Sequence, residues 1–138
     1  MKAFCSVVAL LLFVGCISKV DPASLPLLNG YWEIEKVVFP DGNTKTYEVN
    51  TSIDFIEING KEGFRKKMQP QFNGTYNTSN DAEQFTILSG KNALIIKYSN
   101  AEISWEETLL SLSEERFEVI SETGVTYHYK RYKPIALD

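Results

Sequence analysis

Cysteine, histidine and excess positive charge are scarce in this chain, and each scarcity excludes a class of function. Both cysteines, Cys5 and Cys16, lie near the start, so the remainder has no thiol, disulfide or cysteine metal site. His128 is the only histidine, which excludes a histidine-rich zinc site and a Cys–His nucleophile. A net charge of −4 argues against nucleic acid as a partner, because phosphate binding needs a basic patch. We therefore expect no metal, no cofactor and no nucleic acid.

The acidic residues also lack the spacing that acid–base or metal chemistry needs. Glu106 and Glu107 are neighbours, and on a strand neighbouring side chains face opposite sides of the sheet. Asp41, Asp54 and Asp81 do not have the spacing of a calcium-binding loop. The sequence therefore predicts a protein that is not an enzyme, and it offers no catalytic residue.

One apolar run lies at the N-terminus. After Lys2, the residues from Ala3 to Val14 are almost wholly apolar. The run is too short to cross a membrane, which takes about 20 residues, but it has the length of the apolar core of a secretory signal. It ends in Leu12-Phe13-Val14-Gly15-Cys16, which resembles a bacterial lipobox, in which a small residue precedes an invariant cysteine. The alternative is a plain secretory signal in which Cys16 is incidental.

The lipobox implies cleavage between Gly15 and Cys16 and a lipid on the Cys16 thiol. Buried acyl chains contribute about 0.8 kcal/mol per methylene, so two or three chains hold a protein to a membrane. Ile17 occupies the position where Asp retains enterobacterial lipoproteins at the inner membrane. We therefore expect a protein of the bacterial cell envelope, with the membrane as its partner through an N-terminal lipid anchor in the outer membrane.

The length that remains after the signal allows one folded domain. Pro22 and Pro26 lie in a polar stretch that indicates a short tether between lipid and domain. The chain thus divides into a signal peptide over residues 1–15, the acylated cysteine and tether over 16–26, a folded domain over 27–133, and a fraying tail over 134–138.

Short apolar and aromatic segments, separated by turn residues, follow one another through the folded domain. Lys61–Met68 is basic and weakly apolar, and it indicates a solvated edge or a lid. Ile103–Leu112 has leucines near Trp105 that would also suit a helix, but Thr108 and Ser111 favour a strand. The segments with strand character are Gly30–Phe39, Thr44–Val49, Ser52–Ile58, Lys61–Met68, Phe72–Asn77, Glu83–Leu88, Ala93–Tyr98, Ile103–Leu112, Arg116–Ser121 and Val125–Tyr132.

The short, sequential links favour an all-β fold: an antiparallel up-and-down meander of eight or nine strands, closed into a barrel or packed as a sandwich. The first strand opens with Gly30-Tyr31-Trp32, and the last carries Lys130-Arg131. A Gly-x-Trp at this place resembles the lipocalin family and its bacterial lipocalin-like relatives, over about residues 27–133. The resemblance implies a lipocalin-like β-barrel in which Arg131 packs over Trp32.

The resemblance also implies a small hydrophobic ligand inside the barrel. Alternation places Trp32, Ile34 and Val38 on one face of the first strand. If Arg131 points at Trp32, Tyr127 and Tyr129 point inward as well, because all three share a face. The predicted inward residues elsewhere are Phe55, Phe85, Ile87, Leu94, Ile96, Trp105, Phe117 and Val119. The candidate ligand-binding residues are Trp32, Phe55, Tyr127, Tyr129 and Arg131, the last three supplying polar groups.

Ordinary packing explains the same inward residues, so a second function stays open. A barrel filled by its own side chains would act through its outer face or rim, as an accessory subunit of an envelope complex. The basic segment Lys61–Lys67 suits either an anionic headgroup or a solvated strand, and His128 suits an exposed barrel wall. Nothing in the sequence identifies a protein partner.

Overall fold

The computed structural model describes residues 19–134, apart from the side chains of Ser79 and Asn80. The predicted signal peptide, Cys16 and the tail residues 135–138 lie outside the described residues. Within them the chain forms a 3-10 helix over Pro22–Leu28 followed by nine strands, which are β1 Gly30–Val38, β2 Thr44–Thr46, β3 Ile53–Asn59, β4 Glu62–Pro70, β5 Tyr76–Ser89, β6 Leu94–Ser99, β7 Ser104–Leu112, β8 Arg116–Ser121 and β9 Thr126–Arg131.

The strands form one closed antiparallel sheet. From β3 to β9 each strand pairs with the next, and β1 pairs with β3 along one edge and with β9 along the other. The short β2 lies beside the later part of β1, on the same edge as β3. The other eight strands close into a barrel, which confirms the predicted all-β meander and excludes a sandwich. The segment predicted as a strand at Ile103–Leu112 contains strand β7, Ser104–Leu112, and not a helix.

Strands β4 and β5 differ from the prediction. The sequence indicated a strand at 72–77, a loop at 78–81 and a second strand from residue 83, but β5 is one strand of 14 residues. It pairs with β4 along its length, around a bulge between Lys66 and Met68, so its polar residues gain backbone partners. Gly74 lies in the β4–β5 turn with φ of 82°, and β4 is a paired wall strand, neither an edge nor a lid.

A bulge in β1 changes which valine faces the core. The register against β9 shifts between Ile34 and Lys36. An extra residue reverses the alternation that follows it. Val37 is therefore the buried residue, and the predicted inward position of Val38 is wrong. The link between β2 and β3 holds the bulged segment, because Tyr47 N–H donates to the Glu35 carbonyl and the Asn50 side chain donates to the Ile34 carbonyl.

The 3-10 helix closes one end of the barrel. Leu25 and Leu28 are buried, and the Trp32 side chain is completely inaccessible to solvent. The Trp32 indole N–H donates to the Leu28 carbonyl over 2.8 Å, which satisfies the one polar atom of the ring. The predicted tether over residues 16–26 is therefore too long, because Pro22–Leu28 belongs to the folded barrel.

Arg131 packs over Trp32, as the lipocalin resemblance implied. Its guanidinium carbon lies 3.8 Å from the centre of the Trp32 ring. Its N–H groups donate to the carbonyls of Leu27, Asn29 and Glu114 at 2.7–2.9 Å. Gly30 has φ of 123°, and a Cβ there would lie 2.7 Å from Arg131 Nη1, so glycine leaves room for this contact.

The core lies inside the closed end and the middle of the barrel. Gly63 faces inward opposite Phe85, and a Cβ at Gly63 would lie 2.6 Å from the Phe85 ring. Among residues 19–134, no helix is both long and apolar enough to cross a membrane. The buried cluster consists of Leu25, Leu28, Trp32, Ile56, Ile58, Phe85, Ile87, Leu94, Ile96, Tyr98, Leu109, Phe117, Val119 and Tyr129.

Replacing Trp32 by Ala should cost about 3–5 kcal/mol of unfolding free energy, because the ring is fully buried at the closed end and its loss leaves a cavity. Trp105→Ala, at a half-buried position, is the control and should cost less. Urea unfolding followed by circular dichroism measures both. A loss near zero for Trp32→Ala would show that the ring does not support the barrel.

Candidate binding site in the open end of the barrel

Charged side chains occupy the barrel interior toward the open end. Paired residues of antiparallel strands share a face, so the inward position of Trp32 makes its partner Asp54 inward too. The same rule carries the inward face from Ile56 to Arg65 and on to Glu83. On the opposite wall, Glu107 pairs with the buried Ile96. The interior therefore receives one guanidinium and three carboxyl groups, which come from β3, β4, β5 and β7.

Arg65 reaches across the interior and contacts three strands. Its Nη2 lies 2.6 Å from Glu83 Oε2, and its Nη1 lies 3.3 Å from Glu107 Oε1. The guanidinium carbon sits 4.3 Å from the centre of the Tyr98 ring. The side chain is 14% exposed. A buried guanidinium is stable only with such partners, since removing a charge from water costs several kcal/mol.

Burial shifts the pKa values of the groups around Arg65. It raises the pKa of the Glu107 carboxyl above the usual range, and the nearby Arg65 opposes this shift without cancelling it. Burial also raises the pKa values of the Tyr98 and Tyr129 hydroxyls, which remain neutral hydrogen-bonding groups. For Arg65 burial lowers the pKa, but the surrounding tyrosine and carboxyl groups outweigh burial and raise it. Arg65 is therefore a permanent cation.

Asp54 is almost fully buried and incompletely satisfied. Only 1% of its surface is exposed. Lys67 Nζ lies 2.7 Å from Asp54 Oδ1, but this ion pair lacks hydrogen-bond geometry. Among the described residues, no group donates a hydrogen bond to that oxygen. The open end thus contains a buried carboxylate oxygen with unused acceptor capacity.

Aromatic rings fill the space between the closed end and these charges. Tyr129 stacks on Phe117 at 4.4 Å, and Phe117 meets the Trp32 ring edge-on at 4.7 Å. Higher in the barrel, Tyr98 stacks on Trp105 at 5.4 Å. Tyr98 and Tyr129 are both buried. Trp105 and Tyr127, which lie nearer the open end, are half-buried.

Two of the five predicted ligand-binding residues face the upper interior. Tyr127 lies near the open end, and Tyr129 lies below it against Phe117. Trp32 and Arg131 form the closed end, where the donors of Arg131 are engaged by backbone carbonyls, so their predicted place in a cavity is wrong.

The predicted inward position of Phe55 is also wrong. On β3, Ile53 and Phe55 alternate with Ile56 and Ile58, so the apolar pattern suits either face. The pairing of Asp54 with Trp32 settles the choice and turns Phe55 outward. There, Tyr31, Phe55, Phe64 and Tyr76 form an outer aromatic cluster, with ring centres 4.9–6.0 Å apart. Beside it lies a cleft of about 620 Å³ lined by residues that include Asn29, Phe55, Glu57, Glu62 and Phe64.

Sequence reasoning missed Arg65 and Glu107 as candidate site residues. A signal for Arg65 was available in the Asn59-Gly60 hairpin, because pairing around that turn sets Arg65 opposite Ile56. Glu107 was expected to face away from Glu106, and the structure confirms this, but no local signal chose the inward member. In the described part of the chain, no group of acidic or histidine side chains is arranged to hold a metal ion.

Replacing Glu107 by Gln should change how stability depends on pH. Because the folded protein holds the Glu107 proton more tightly than the unfolded chain does, this residue stabilises most below pH 4.5, the ordinary pKa of Glu. Its contribution declines as the pH rises through the raised folded pKa. The unfolding free energy of the parent minus that of Glu107→Gln should therefore fall as urea melts move upward from pH 4.5. Glu106→Gln makes the same charge change on the outer face as a control, and parallel curves for parent and Glu107→Gln would refute the expectation.

Comparisons with known proteins agree with this architecture. Residues 28–119 match a family described as a lipocalin-like domain. A lipocalin-like protein from Bacteroides uniformis is 11% identical, with a TM-score of 0.48 over 77% of this chain and 99% of that chain. Apocrustacyanin C2 is 12% identical, with a TM-score of 0.50 over 83% of this chain and 66% of its own. Lobster apocrustacyanin A1 is 13% identical, with a TM-score of 0.48 over 87% and 73%.

None of the curated proteins compared with the chain matches it. At 12% identity and a TM-score of 0.50, the apocrustacyanin C2 structure bears on the fold alone. The family match covers two thirds of the chain, including Leu28 and Trp32 of the closed end and the charged interior residues Asp54, Arg65, Glu83 and Glu107. By that match, this chain belongs to the family of lipocalin-like domains.

Proposed function

We propose that this protein is a lipid-anchored binding protein of the bacterial cell envelope, which takes a small, largely apolar molecule into the open end of its barrel. The observation that carries this proposal is the contrast between the two ends. The closed end is packed by the 3-10 helix, Trp32 and Arg131, whereas half-buried Trp105 and Tyr127 border the open end. Aromatic side chains with a few polar groups are the usual lining of small-molecule sites.

The anchor position supports access from the aqueous side. The segment from Ile17 to Asp21 is all that separates Cys16 from the 3-10 helix. Five extended residues reach at most about 18 Å. An anchored barrel would therefore keep its closed end near the lipid surface, with Trp105 and Tyr127 directed away from it.

The expected binding mode is shallow. The rings of Tyr98 and Tyr129 and the Arg65 side chain fill the middle of the barrel, so a ligand gains contact with Trp105 and Tyr127 first. Burial of apolar ligand surface contributes about 25 cal/mol per Å², and the Tyr127 hydroxyl offers a polar contact.

The anchor can be tested by replacing Cys16 with Ser. The variant cannot carry the thioether-linked lipid, so it should leave the membrane fraction and appear in the soluble fraction. Cys5→Ser, within the apolar run of the signal, is the matched control and should remain with membranes. Immunoblots of fractionated cells measure both. Membrane retention of Cys16→Ser equal to that of the parent would reject the anchor.

Ligand binding can be tested with the two tryptophans as separate reporters. Trp32→Phe leaves Trp105 at the open end, and Trp105→Phe leaves Trp32 at the closed end. Decanol, an apolar probe without fluorescence, should protect Trp105 from acrylamide quenching. Trp32 should be shielded with and without the probe. Unchanged Trp105 quenching at saturating decanol, together with no small molecule in an organic extract of the purified protein, would count against binding in the barrel.

A filled barrel acting through its outer face is the second candidate. The observation in its favour is the outer aromatic cluster of Tyr31, Phe55, Phe64 and Tyr76, which lies beside the 620 Å³ cleft. Contiguous apolar surface of this kind marks contact sites on soluble domains. A protein that neither protects Trp105 nor yields an extractable ligand would favour this alternative.

A further inference from the structure

Arg65 occupies a cation site that is built from other strands. Glu83 on β5 and Glu107 on β7 each contact one side of its guanidinium, and the Tyr98 ring on β6 lies beneath it. Two carboxylates and an aromatic face are the groups that bind cations in proteins. The site is therefore complete before any ligand arrives, and its present occupant is a flexible side chain of the same protein.

The upper interior carries more negative than positive charge. Three carboxyl groups lie there, those of Asp54, Glu83 and Glu107. Among the described residues, Arg65 is the one buried cation beside them, because the side chain of Lys67 at the rim is 60% exposed. Asp54 Oδ1 is buried, ion-paired with Lys67, and accepts no hydrogen bond from a described residue. Because a carboxylate oxygen has two lone pairs, Asp54 Oδ1 can accept from a further donor beside Lys67.

We propose that the ligand of the open end carries an organic cation, an ammonium or amidinium group on an apolar body, which replaces the Arg65 guanidinium beside Glu107 and Tyr98. This inference rests on the proposed binding function. The apolar body lies against Trp105 and Tyr127, and the cationic group donates to Glu107 and, where it has a second N–H, to Asp54. An anionic ligand would meet three carboxylates and an arginine that is already paired, so its burial is opposed.

Displacement of Arg65 also resolves the lack of free volume in the middle of the barrel. The side chain has several rotatable bonds and starts from β4, close to the open end. When it swings toward solvent its charge is rehydrated, and the ligand cation preserves the charge balance inside. The exchange keeps a cation beside Glu107, the more buried of the two carboxyl groups, whereas the Glu83 side chain is 35% exposed and is hydrated when Arg65 leaves.

Three probes with one ring and different charges test the proposal, namely 2-naphthylmethylammonium, 2-naphthylmethanol and 2-naphthoate. Each is titrated calorimetrically into the exported chain in micelles of a nonionic detergent, with a micelle blank for partitioning. The ammonium should bind about tenfold or more tightly than the alcohol, and the naphthoate no more tightly than the alcohol. Equal affinity of ammonium and alcohol, or tightest binding of naphthoate, would overturn the cation inference while leaving the binding function intact.

Matched variants locate the effect. Glu107→Gln should lower the affinity for the ammonium about tenfold and leave the alcohol unchanged. Glu106→Gln removes the same charge from the outer face of the same strand and should change neither. Arg65→Met removes the competing cation and should raise the ammonium affinity. If Arg65→Met fails to fold, as judged by circular dichroism, the comparison of Glu107→Gln with Glu106→Gln decides the question alone.

The outcomes separate the two proposals. Binding of the alcohol with no preference for the ammonium rejects only the cation. Binding of none of the three probes, with Trp105 equally quenched in their presence, rejects binding at the open end and the cation with it. A loss of ammonium affinity that is the same in Glu106→Gln and Glu107→Gln assigns the effect to net charge and rejects the interior site.

Discussion

The pairing of β1 along both of its edges is the constraint on which the rest of the structure depends. β9 joins one edge and β3 and β2 join the other, so all strands except the short β2 close into a barrel. Closure makes every strand contribute one alternate set of side chains to a shared interior. Trp32 and Arg131 form the pair at the closed end of the β1–β9 ladder, and the 3-10 helix covers both.

The filled middle of the barrel and the buried Arg65 are linked. A purely apolar interior would avoid the cost of desolvating a guanidinium, and buried ion pairs are often no more stabilising than apolar packing. Arg65 nevertheless sits inside with Glu83, Glu107 and the Tyr98 ring, and burial raises the pKa of Glu107. Perturbed groups that gather in one place are typical of functional sites. This gathering of buried charge in the upper interior is what the proposed ligand would recognise.

The two ends of the barrel differ in what fills them. The closed end holds the aromatic and aliphatic core, and the hydrogen bonds of Arg131 tie the helix to β9. The open end holds the charges and the half-buried rings. The side chains that would move if the proposed ligand bound are remote from those that close the sheet, so its exchange would leave the fold intact.

Local sequence determined the strands, most of the turns and the meander order, because period-two alternation and turn residues act over a few neighbours. The contact between Arg131 and Trp32 of Gly30-Tyr31-Trp32 was also predicted, because the lipocalin resemblance implied that the first and last strands meet there. Tertiary structure alone decided the face of Phe55, the valine that β1 buries, the continuity of β5, and the entry of Arg65 and Glu107 into the interior. Each of these depends on register between strands or on a bulge, and a one-residue shift exchanges the two faces without changing local propensity.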